Sequence, residues 1–217
     1  MNILQTIWTA LTTPNETLFK IISIPLNYLD FYVGMLFFSA ILNIQSTKKQ
    51  KLIYVLVGGT VSTLITFLVP NEYKIFLNIF IWPIMVFFIL KTTILKSILA
   101  EVITMVATSI LDFIFANIFF ALFNVTSEMI IQIPFYRLVI ALSIYLVIFL
   151  LSKLINFFKV NIHGIDNLTS RAKTLIIINS LLIALVLAMQ FYLITFYSSN
   201  MPLFVTIINI ISLVAYF

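Results

Sequence analysis

Residues 96–124 read KSILAEVITMVATSILDFIFANIFFALFN, with Lys96 at the start and Glu101 and Asp112 as the only charges that follow. At a rise of about 1.5 Å per residue this stretch makes a helix about 42 Å long, against a hydrocarbon core of about 30 Å. It therefore predicts a membrane-crossing helix that tilts or protrudes. Glu101 and Asp112 are eleven residues apart, which leaves them within about 20° of one face of that helix. A single protein-facing stripe can carry both.

The same composition extends in both directions. The 217-residue chain is 63% hydrophobic and 9% charged, with a mean hydropathy of +1.20, whereas soluble domains hold roughly 45–50% apolar and about 25% charged residues. The fold class this predicts is an all-α, polytopic transmembrane helix bundle. At roughly 20 residues per crossing plus a connection, the length accommodates about seven spans. They are placed at about 25–44, 52–69, 73–90, 96–124, 135–158, 174–197 and 203–217. Pro83 is expected to kink the third by removing a backbone donor. The last span reads as cut short, because no charged stop-transfer residue follows it up to Phe217.

Upstream of the bundle, 1–24 reads as an amphipathic interfacial N-terminus. Ile3, Leu4, Ile7, Trp8 and Leu11 recur at helical spacing opposite Asn2, Gln5, Thr6 and Thr9, with Trp8 as the interfacial anchor. The basic start and small-residue cleavage site of a signal peptide are missing. Thr13-Pro14-Asn15-Glu16 then reads as a helix start with Thr13 as N-cap and Pro14 in the first position.

Orientation follows from the cations. Lys48, Lys49, Lys51, Lys91, Lys96, Lys153, Lys159, Arg171 and Lys173 flank the first, third and fifth connections, which places those loops in the cytoplasm and the N-terminus outside. An odd number of spans then leaves the C-terminus inside. The net charge of +5 is too small and too dispersed for a nucleic-acid partner.

The absence of cysteine excludes disulfides, thiolate metal sites and a cysteine nucleophile. HExxH, GxSxG, Walker A and nucleotide-binding glycine patterns are missing too. Neither catalysis, a cofactor nor a metal is expected. His163, the sole histidine, reads as a solvated loop residue. Asp30, Glu101 and Asp112 are the acidic residues within spans, and an intramembrane carboxylate is a functional candidate because of what its burial costs. One interpretation has Asp30 and Asp112, with Arg137 and Lys20 near the outer end, lining a ligand pocket open to the outside. In the other, protonated or ion-paired carboxylates tie neighbouring helices together. Asn78, Asn117, Asn179 and Gln190 read as interhelical hydrogen-bond formers, and Gly58, Gly59 and Ser62 as a small-residue packing contact.

In this order of elements the chain resembles the N-terminal membrane sensor region of the Agr-type quorum-sensing histidine kinases, whose kinase part is a GHKL-type ATPase. The likeness lies in the external N-terminus, in Phe- and Ile-rich hairpins with short outer turns, and in the stretch from Leu151-Ser152-Lys153-Leu154 through Arg171-Ala172-Lys173 to the 175–197 span. The phosphoacceptor histidine and nucleotide-binding boxes are not in this chain, and Ile162-His163-Gly164-Ile165-Asp166 does not match the former. The resemblance implies that 25–217 is a sensor bundle in the bilayer that detects an extracellular peptide. It further implies a homodimer whose last helix signals to a cytoplasmic kinase domain or response regulator outside this chain, within a two-component system. The resemblance assigns no individual residue. A small polytopic component of a solute or vitamin transporter is the competing class; it would place both termini inside. Heavy use of Ile, Phe, Asn and Lys points to an AT-rich bacterial genome and a plasma-membrane location.

Overall fold

The structure is a computed structural model that describes residues 2–123, 125–160, 162 and 167–197. The stretch read as the seventh span, the turn before it and His163 lie outside the described residues. Among those described, all regular structure is helical: α1 (Ile3–Thr12), α2 (Glu16–Leu42), α3 (Lys48–Leu68), α4 (Asn71–Leu90), α5 (Ile94–Phe123), α6 (Ser127–Gln132), α7 (Pro134–Phe158) and α8 (Ser170–Tyr197). Helices α2, α3, α5 and α7 are long and apolar enough to cross a membrane. Within α4 the apolar stretch is shorter, Phe76–Leu90.

Local chemistry sets the helix boundaries. Pro14 disfavours helical backbone at the residue before it, and Thr13 is extended at φ −109° and ψ 154°. The cap of α2 is Asn15, whose side chain accepts a hydrogen bond from Leu18 N–H at 2.9 Å; the expected cap, Thr13, instead closes α1, its N–H donating to Thr9 O. Helix α2 then runs unbroken through Pro25, as α4 does through Pro83. At α3, Thr47 and Gln50 cap reciprocally: Gln50 N–H donates to Thr47 Oγ1 at 3.2 Å, and Thr47 N–H to Gln50 Oε1 at 2.9 Å. Thr126 caps the short α6 by accepting from Met129 N–H at 3.3 Å, so the 125–134 loop contains a helical turn absent from the sequence reading.

Helix α2 is the central element, packed against α3, α5 and α7. One of its stripes, Phe31, Met35, Phe38 and Leu42, is buried with Tyr54 of α3, Val86 and Leu90 of α4 and Ala100 of α5. The opposite stripe, Val33 and Phe37, is buried with Ile140, Ile144 and Ile148 of α7 and Phe119 of α5. Spacings of three and four residues keep each stripe on one side of the helix. The glycine pair of α3 makes the α2–α3 contact close: a Cβ at Gly58 would overlap the Phe31 ring, and one at Gly59 the Tyr28 ring. Next to it, the Tyr28 and Thr60 hydroxyls share a hydrogen bond at 3.0 Å, and Asn27 Nδ2 donates to Thr63 Oγ1 at 3.3 Å. The small-residue contact read at Gly58 and Gly59 is thus a seat for two aromatic rings.

Hydroxyls elsewhere in the helices turn back on their own backbone. Ser23, Thr60, Thr63, Thr104 and Ser143 each donate to the carbonyl four residues earlier at 2.7–2.8 Å, so each hydroxyl is satisfied within its own helix. Outward, the bundle is apolar: Leu68, Phe88, Leu122 and Phe157 are all strongly exposed. Large apolar side chains exposed at both ends of the bundle suit hydrocarbon better than water.

Candidate functional site: a charged seam between α2, α5 and α7

Asp30 on α2, Glu101 and Asp112 on α5, and Arg137 on α7 are charged side chains on the central helices that act on one another electrostatically. Asp112 Oδ1 lies 3.8 Å from Arg137 Nη1. Asp30 is within electrostatic range of both, and Glu101 is within range of Asp30. The eleven-residue spacing on α5 does bring both of its carboxylates to bear on α2, about 16 Å apart along the axis.

The placement follows from element lengths. Arg137 lies in the first turn of α7, three residues after Pro134, and its long side chain reaches Asp112, about 27 Å from the start of α5. Near the same end Phe119 of α5 meets Tyr136 of α7 edge-on, with ring centroids 6.2 Å apart, and Trp8 of α1 meets Phe135 at 5.4 Å. The amphipathic α1 therefore rests against the start of α7, two residues from Arg137. Trp8 itself is exposed.

All three residues proposed from the sequence as ligand-binding, Asp30, Asp112 and Arg137, converge here. Lys20 does not. Its Nζ is 2.7 Å from Glu16, one turn earlier on α2, because a carboxylate at that spacing is the nearer partner. Asn117 is also unlike its expectation: its Nδ2 donates to Phe113 O at 2.7 Å within α5, and not to a neighbouring helix. Asn78 Oδ1 is buried without a hydrogen-bond partner.

Two tyrosines belong to the seam and were missed in the sequence. Tyr145 of α7 lies within electrostatic range of Asp30, Arg137 and Asp112, and Tyr54 of α3 within range of Glu101 and Asp30. The available signal was a phenol in the middle of an apolar span, since a buried hydroxyl needs a polar neighbour. Together these groups can hold a polar ligand by charge and hydrogen bonding, or exchange protons among carboxylates. Among the described residues no three His, Asp or Glu side chains gather as a metal site.

No protein-family model, curated protein or solved structure matches the chain. The class defined by the fold is an all-helical bundle, four of whose helices are long and apolar enough to cross a membrane, with a charged seam among its central helices.

Proposed function

We propose that this chain is the membrane-embedded input region of a bacterial two-component histidine kinase. It detects an extracellular peptide and passes the signal through its last helix to a cytoplasmic kinase part. The observation that carries the proposal is the Asp112–Arg137 pair at 3.8 Å, with both side chains partly exposed at 41% and 46%. A polar ligand can therefore reach either charge and compete for it.

In this scheme the bundle has about seven spans, an external N-terminus and an internal C-terminus, and α1 and α6 flank the ligand on the outer side. Binding exchanges the Asp112–Arg137 contact for contacts to the peptide. Because α2, α5 and α7 share one apolar core below the pair, a change at the pair shifts the balance between two packings of the helices. A dimer of such bundles carries that shift to the attached kinase. Lipid supplies the solvent for the outer surface.

To test this, membranes bearing the whole chain are incubated with the peptide fraction of conditioned medium from the source organism, and retained peptides are identified by mass spectrometry. Arg137→Ala is expected to lower retention about tenfold, the worth of one charge-assisted hydrogen bond. Equal retention by both forms, or none by either, refutes the receptor role. The three intramembrane carboxylates favour a second reading, a component of a solute transporter. That reading gains if vesicles containing the chain accumulate a solute and retain no peptide.

A further inference from the structure

We propose that the groove between the start of α3 and the end of α4 holds the headgroup of an anionic phospholipid. The groove has a volume of about 480 Å³; Lys49 and Lys91 stand at its polar rim beside Gln50, and Ile53, Phe88 and Ile89 line its apolar side. It lies at the cation-rich end of the bundle, away from the Asp112–Arg137 pair, and it depends on the membrane reading but not on the receptor function.

The two lysines are poorly explained by the helices that carry them. Lys49 lies in the first turn of α3, which contains no acidic residue, so its charge faces the positive end of the helix dipole. Lys91 closes α4 in the left-handed region at φ 54°, where glycine is the unstrained residue. Among the described residues neither lysine is ion-paired. A phosphodiester between them would pair with both and cancel one of their two charges.

The apolar side decides for a lipid over a free anion. Phe88 is 69% exposed and Ile53 38%, and the same outward surface of α3 continues through Leu56 at 50%. An acyl chain attached to a bound headgroup can lie along that surface into the hydrocarbon, whereas inorganic phosphate gains nothing from it. Basic clefts between spans on the inner leaflet are suited to anionic headgroups in this way.

The test uses the whole chain in nanodiscs of mixed phosphatidylcholine and phosphatidylglycerol, with retained lipid counted by native mass spectrometry after release into detergent. The Lys49→Ala/Lys91→Gly variant is expected to retain phosphatidylglycerol about 30-fold more weakly, at about 1 kcal/mol per lysine. Glycine at 91 keeps the left-handed cap, so folding is preserved. Lys48→Ala/Lys159→Gly is the matched control: Lys48 shares the first turn of α3 and Lys159 is likewise a left-handed cap at φ 54°, but neither lines the groove. Unchanged retention in the first variant, or an equal loss in the control, overturns the site. Displacement of the lipid by inorganic phosphate alone at equal concentration overturns the choice of a lipid.

Discussion

At the scale of single residues, Asp112 and Arg137 carry the most weight. At 3.8 Å and with both side chains partly exposed, the pair is a loose one, and partly exposed ion pairs contribute about 0–1 kcal/mol. A double-mutant cycle of Asp112→Asn and Arg137→Gln, read by thermal unfolding in detergent, is therefore expected to give a coupling energy of no more than about 1 kcal/mol. A coupling of about 3 kcal/mol or more would mean the pair is a structural clamp and not a contact that a ligand can replace. Asp30, Asp112 and Arg137 stood out in the sequence because charges within apolar spans are rare; that Arg137 lies beside Asp112 is a contact only the structure shows. Tyr145 and Tyr54 were not, since tyrosine is as much at home in an apolar core as beside a carboxylate.

At the scale of elements, the α2–α3 pair depends on the absence of side chains at Gly58 and Gly59, into which Phe31 and Tyr28 of α2 are pressed. Gly58→Leu is expected to destabilise the bundle by about 1–3 kcal/mol, the usual result of overpacking. Trp82 offers the readout, because its ring centroid lies 3.9 Å from that of Phe31 and displacement of Phe31 changes its fluorescence. An unchanged melting temperature and an unchanged Trp82 spectrum would show that α2 and α3 do not pack this way. The glycines were visible as a packing contact, but not their partners, because helix spacing gives the face of α3 and says nothing of which rings oppose it. The helix ends were legible only where a cap is unambiguous. Asn15 caps α2 because its side chain reaches Leu18 N–H, while Thr13 is taken up by the end of α1. The left-handed ends at Asn43, Lys91 and Lys159 carry no glycine to announce them.

At the scale of the whole molecule, charge is distributed along the bundle in three levels. The hairpin order brings Lys48, Lys49, Lys51, Lys91, Lys96, Lys153, Lys159, Arg171 and Lys173 to one end, where α2, α4 and α7 finish and α3, α5 and α8 begin. The opposite end carries Lys20, Lys74 and Arg137 with Glu16, Glu72 and Glu128 near the helix ends there, and the middle carries Asp30, Glu101 and Asp112. Such an asymmetry is what insertion reads as the cytoplasmic side. Reporter fusions after Ile44, Thr92 and Asn167 are thus expected to be active inside, and fusions after Thr13 and Val125 outside. A reporter after Ile44 that is active on the exterior would invert the bundle, and would put the proposed peptide-facing surface and the proposed lipid groove on the wrong sides.

By itself the sequence determined the all-helical class, with helices long and apolar enough to cross a membrane, and the separation of cations to alternate connections. Each is a one-dimensional property: hydropathy over a window, rise per residue, and charge by loop. Only the tertiary structure decided that α2 stands at the centre, that Arg137 takes Asp112 while Lys20 turns to Glu16, and that Lys49 and Lys91 face one groove from separate helices. Those outcomes rest on which faces meet, and faces are chosen by the shapes of side chains on other helices, far away in the chain.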